Sequence, residues 1–109
     1  DLINWIRLNH VLEPSVSYDI NGCYSGSITT LSGEKPVIMY TGSDTNKHQI
    51  QNLAMPKNLS DPFLREWVKQ PQNPIIIPPS GIDVEGFRDP TTAWQGGDGK
   101  WRVIIGAKT

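Results

Sequence analysis

The chain restarts part-way along its length. Trp5-Ile6-Arg7 is echoed by Trp67-Val68-Lys69, 62 positions later, and Val37-Ile38-Met39-Tyr40 by Val103-Ile104-Ile105-Gly106, 66 positions later. Two landmarks in the same order at nearly the same offset suggest an internal repeat. Each repeat has room for about four short strands, the content of one propeller blade. On this reading the chain holds the last strand of one blade, a whole second blade and the first two strands of a third. A β-sandwich would also supply short antiparallel strands; the near-constant offset is what favours a propeller.

Local signals agree with short strands. Ten Gly and nine Pro in 109 residues leave little room for long helices. Alternation and β-branched residues pick out Tyr24 to Leu31, Pro36 to Tyr40 and His48 to Met55 as strands, the last with Gln49 and Gln51 on a wet face. Trp67-Val68-Lys69 closes the blade as a short fourth strand or a single turn. Ser32 to Lys35 reads as a turn, Gly42 to Lys47 as a polar loop and Pro71 to Pro79 as a link. Thr91 to Gln95 and Trp101 to Ala107 flank Gly96-Gly97-Asp98-Gly99, a hairpin loop. Both ends are structured in character, so the chain reads as a piece of something larger.

Composition narrows the function. Net charge is -1 and pI about 6.1, with no basic stripe, so nothing points to nucleic acid or an anionic membrane. No apolar run approaches the roughly 20 residues of a membrane span. His10 and His48 have no metal-site spacing, and Ser-His-Asp and phosphate-loop patterns are absent. Cys23 is the single cysteine, expected to be a small buried thiol.

Two clusters remain. The first strand of a propeller blade lies beside the central axis, and on the repeat alignment these strands begin near Tyr24-Ser25 and Arg88-Asp89, 64 residues apart. They are therefore expected to line one cavity from adjacent blades. Arg88-Asp89-Pro90 sets an acceptor beside a donor fork, and Pro90 is expected to push Asp89 toward extended geometry. A structural ion pair in a turn is the plainer account. Tyr24-Ser25-Gly26-Ser27 offers hydroxyls beside an aromatic face, as a sugar subsite does, or an ordinary Ser-rich strand. Asp83 and Glu85 fit a loop or a site; Glu66 reads as surface. Asn58-Leu59-Ser60 is a glycosylation sequon.

Longer motifs carry a resemblance. Asp19 through Ser27 resembles the "NG-x-W-S-G-S-A-T" motif of the family 32 glycoside hydrolases, the invertases and fructan enzymes, and Gly86 through Trp94 resembles their "FRDPTTAW" motif. Tyr40-Thr41-Gly42, Gln51-Asn52 and the stretch from Asn58 to Trp67 are similar as well, so the likeness spans essentially the whole chain. It implies an all-β fold: about two blades of a five-bladed β-propeller, residues 1–109 belonging to the catalytic propeller domain, with the family's C-terminal β-sandwich outside this sequence. It implies a retaining hydrolase that uses a nucleophilic and an acid/base carboxylate. The family carries these in "NDPNG" and "ECPD" motifs, neither of which is in this sequence. Asp89 matches the family's third acidic residue, a transition-state stabiliser; Arg88, Tyr24 and Ser25 match substrate-binding positions. Tyr24 replaces the family's Trp and Ile28 its Ala, which puts plain sucrose preference in doubt.

The expected activity is thus a β-fructofuranosidase acting on sucrose or fructan, with a fructan exohydrolase or fructosyltransferase as alternatives. A non-catalytic carbohydrate-binding protein on the same fold is the rival from another class. No cofactor or metal is expected. The resemblance leans to the cell-wall branch, hence a secreted, apoplastic protein carrying a glycan at Asn58, with the vacuole as the alternative.

Overall fold

A computed structural model describes all 109 residues, and it is all-β. Four strands form an antiparallel meander: β1 (Gly22–Leu31), β2 (Lys35–Ser43), β3 (Gln49–Pro56) and β4 (Trp67–Lys69), in that spatial order. This is the strand content of one blade, with β1 and β4 as its edge strands, β1 being the one expected on the inner side. The β1–β2 turn is three residues long, with Gly33 and Glu34 both at positive φ. β2 runs on to Ser43, three residues beyond the expected Tyr40, because Thr41, Gly42 and Ser43 continue the ladder with Gln51, Ile50 and Gln49. The expected polar loop loses Gly42 and Ser43 to the strand.

The second hairpin is broken. β5 (Phe87–Arg88) pairs with β8 (Gly106–Ala107), and β6 (Trp94–Gln95) pairs with β7 (Trp101–Arg102). Asp98 closes the loop between β6 and β7 by a bidentate bond with Arg102, both distances 2.9 Å. Trp5-Ile6-Arg7 forms no strand, contrary to the sequence expectation; Trp5 is 79% exposed and has no strand beside it to pair with.

β3 has no wet face. Ile50, Gln51, Asn52 and Ala54 are all buried, and so is Gln49. Ile50 and Ala54 belong to the core, while Gln49 and Gln51 each bond to backbone. Gln49 Oε1 accepts from the Phe87 N–H at 3.0 Å, and Gln51 Nε2 donates to the Phe87 carbonyl at 2.9 Å. These bonds fasten the second hairpin to the blade, and satisfied amides of this kind are tolerated in a core. The link after Pro71 covers the part of β3 that β4 is too short to reach: Gln51 N–H donates to Ile76 O and Ile75 N–H to Gln51 O. At the inner edge, Ala93 N–H donates to Thr29 Oγ1 at 2.7 Å and the Thr92 hydroxyl to Ile28 O at 3.1 Å.

A charged knot anchors the start of β1. Asp19 is fully buried and accepts from the Tyr40 hydroxyl at 2.8 Å, from the Ser15 and Val16 N–H groups, and from Lys69 of β4. Burial alone would raise its carboxyl; the bonds from Lys69, Ser15, Tyr40 and Val16 outweigh that and hold it below the usual range. Cys23, next to this knot, is half-buried, and burial followed by the Asp19 charge pushes its thiol up to about 11. It is no nucleophile at neutral pH.

Candidate active site

Both inner strands depart from regular pairing at the predicted clusters. In the first hairpin Cys23 pairs with Gly42 and Gly26 with Tyr40, so Tyr24 and Ser25 together face Thr41 alone. This is a β-bulge, a device that re-aims side chains. Gly26 is required there: a Cβ would fall onto the Met39 carbonyl oxygen. Tyr24 and Ser25 are exposed, and the Tyr24 ring lies over Gly22.

In the second hairpin Arg88 pairs with Gly106 and Trp94 with Arg102, so five residues, Asp89–Ala93, face three, Val103–Ile105. Asp89 begins this excursion at φ 62. The extended geometry expected from Pro90 is therefore not what forms. A left-handed residue in front of a proline is doubly disfavoured; Asp is among the few non-Gly residues that accept the region. What holds it is the Asp89 N–H, donated to the Thr41 hydroxyl oxygen at 3.1 Å, together with Pro90, which is buried. Strain kept in place by surrounding bonds is a mark of functional positions.

Arg88 and Asp89 are both exposed, and neither belongs to any of the ion pairs of the structure. The plain account of the motif, a structural Arg–Asp pair, does not form. Both side chains instead line an open groove of about 540 Å³ with Asp83, Glu85, Gly86, Gly106, Ala107 and Lys108. Asp83 is taken up by the Glu85 N–H at 3.0 Å and by Lys108 at 3.3 Å, which lower its carboxyl in that order. Tyr24 and Ser25 are not part of this groove; they connect to it through Thr41, which faces the bulge from one side and holds Asp89 on the other. No group of three or more His, Cys, Asp or Glu side chains is placed to hold a metal ion.

Away from this site, Asn58 is exposed, and its Oδ1 caps a local turn by accepting from the Ser60 N–H at 2.9 Å. The neighbouring Asp61 carboxyl is pulled down to about 2, chiefly by its bond with Arg65. Glu66 pairs with Lys57 on the surface at 3.1 Å, as its setting suggested.

The model for the glycosyl hydrolases family 32 N-terminal domain matches residues 1–109. The chain belongs to glycosyl hydrolase family 32. It is 57% identical over 110 residues to a cell-wall β-fructofuranosidase isozyme of Pisum sativum, covering 99% of this chain and 20% of that protein. It is 57% identical over 112 residues to the fructan 6-exohydrolase of Beta vulgaris, covering 99% and 18%. The crystal structure of fructan 1-exohydrolase IIa from Cichorium intybus superposes with a TM-score of 0.94 at 55% identity, covering 99% of this chain and 20% of that one. A variant of that enzyme has been solved in complex with 1-kestose. This family-32 chain thus spans about a fifth of the length of the relatives it matches. Its meander and split hairpin are a fragment of the family's β-propeller.

Of the residues the sequence singled out, Arg88 and Asp89 line the groove and Tyr24 and Ser25 form the bulge; it did not single out as site residues Thr41 and Gln51, which lie between them, or Lys108, which lines the groove. Thr41 and Gln51 sit at facing positions of β2 and β3. That pairing was visible once β2 was extended past Tyr40.

Proposed function

We propose that the protein carrying this chain hydrolyses terminal β-fructofuranoside bonds in sucrose or fructans with retention of configuration. Asp89 is the transition-state stabiliser, and Arg88, Tyr24 and Ser25 hold the sugar. The observation that carries the reading is Asp89 itself: a left-handed, exposed carboxylate with no ion-pair partner, presented at a groove. The reaction builds positive charge on the fructosyl ring, and a fixed carboxylate favours that state over the ground state. The nucleophile and acid/base required by a retaining mechanism lie outside these residues, so this segment alone is inactive.

The test is Asp89→Ala in the full-length protein, with kcat and melting temperature measured on one preparation. A fixed charged group of this kind contributes about 3–4 kcal/mol, a loss of roughly two to three orders of magnitude in kcat. A lowered melting temperature with near-normal kcat would instead assign Asp89 a structural role and sink the catalytic reading.

A fructan substrate is the second reading. Tyr24 stands where the family motif has Trp, and relatives named as fructan 6- and 1-exohydrolases match at 57% and 55% identity. Parallel assays on sucrose and 1-kestose decide between the two. Relatives named for the cell wall support a cell-wall location, and the exposed Asn58 is the proposed glycan site. Peptide mapping after expression in a secretory host that finds Asn58 unmodified removes that assignment.

A further inference from the structure

We propose that Thr41 is a positioning residue for Asp89, a role that rests on the reading of Asp89 given above. Thr41 is fully buried in β2 and does not reach the groove. Its hydroxyl has two bonds of opposite sense: it accepts from the Asp89 N–H at 3.1 Å and donates to Gln51 Oε1 at 2.8 Å. Gln51, also fully buried, donates from Nε2 to the Phe87 carbonyl at 2.9 Å, and Gln49 Oε1 takes the Phe87 N–H at 3.0 Å. The chain of bonds therefore grips the backbone on both sides of Arg88.

Direction matters in this chain. Gln51 Nε2 is committed to Phe87, so its Oε1 faces Thr41 and requires a donor there. The Thr41 proton is thereby turned toward Gln51, which leaves a lone pair for the Asp89 N–H. A side chain at 41 that lacks a hydroxyl orphans both the Gln51 oxygen and the Asp89 amide. Asp89 then loses the bond that holds its N–H in a left-handed conformation ahead of a proline, and its carboxylate relaxes away from the presented geometry. Because Thr41 also stands across from the Tyr24–Ser25 bulge, one buried hydroxyl sets the two strand breaks relative to each other.

The experiment uses the full-length protein and four variants: Thr41→Val, Thr41→Ser, Asp89→Ala and the double variant Thr41→Val/Asp89→Ala. Thr41→Val keeps shape and removes the hydroxyl. A displacement of order 1 Å at a positioned group costs up to about 100-fold, so kcat is expected to fall roughly 10- to 100-fold with KM changed less than about threefold. Thr41→Ser restores the hydroxyl and is expected to bring kcat back to within about threefold of wild type. On the Asp89→Ala background, Thr41→Val is expected to change kcat by less than about twofold, because residues acting as a unit are non-additive. Should Thr41→Val not fold, Thr41→Cys, with its weak acceptor, is read by the same criteria. An unchanged kcat for Thr41→Val beside a collapsed kcat for Asp89→Ala overturns the positioning role and leaves the Asp89 reading standing. An equal further loss from Thr41→Val on the Asp89→Ala background also overturns it, since the lesion is then general. A normal kcat for Asp89→Ala overturns the reading of Asp89, and the positioning role falls with it.

Discussion

The inner strands of the two hairpins break at equivalent points of the repeat, but by different means. Tyr24 and Asp89, 65 residues apart, are each the first residue after a two-residue paired segment. The first break inserts one extra residue, keeps every neighbour in the ladder, and depends on Gly26 to let β2 come close. The second inserts two, places an Asp at positive φ and follows it with a buried proline. The bulge presents neutral hydroxyls at little backbone cost. The second break presents a charge, and a strained backbone fixes that charge more narrowly than a bulge can. Tolerance of strain marks where geometry matters most.

If the charge is the purpose of the second break, the two positions should answer differently to loss of polarity. Asp89→Asn keeps the hydrogen-bonding shape and should still lower kcat by roughly two orders of magnitude. Ser25→Ala removes one neutral bond, worth about 0.5–1.5 kcal/mol, and should cost at most about tenfold, mainly in KM. Equal losses in the two variants would erase the distinction.

The backbones should differ in the reverse sense. Gly26→Ala drives a Cβ into the Met39 carbonyl and should destabilise the fold by about 1–3 kcal/mol in a denaturant titration. Asp89→Gly relieves a positive φ and should leave the melting midpoint unchanged or slightly raised while kcat collapses. A Gly26→Ala protein with wild-type stability would show that the bulge has room to relax.

Acid should loosen the first break. Tyr40, the partner of Gly26, is bonded to Asp19, whose carboxyl lies below its unfolded value near 3.8. A depressed folded pKa stabilises the native state fully above the unfolded value and loses that contribution as pH falls through the folded one. Unfolding free energy should therefore drop below about pH 4, and Asp19→Asn should flatten that part of the profile. A wild-type profile with no fall in that window would disconnect the knot from stability.

The sequence carried the strands of the blade and placed Tyr24-Ser25 and Arg88-Asp89 at strand starts, because strand punctuation and the Arg-Asp-Pro string are local signals. It misled at Gln49 and Gln51. Alternating polar residues usually mean solvent on one face, but here the polar face meets backbone from a neighbouring hairpin some 36 to 38 residues away, which no local pattern records. It misled at Asp89 because proline's influence on its predecessor is an average preference, overridden by one tertiary bond to Thr41. Trp5 failed as a strand for the complementary reason: a strand needs a neighbour, and propensity does not supply one.

The amides of Gln49 and Gln51 clasp main-chain atoms of Phe87, and Thr41 clasps a main-chain atom of Asp89. The seam between repeats is therefore indifferent to the side chains at 88 and 89. Position 88, and position 89 within the few residues that accept a left-handed backbone, can be rewritten over evolutionary time, toward a different sugar or toward no catalysis at all, without unfastening one repeat from the next. Positions 41, 49 and 51 have no such licence. In a set of diverging descendants, variation in substrate should accumulate on one side of the seam while the clasp on the other side stays the same.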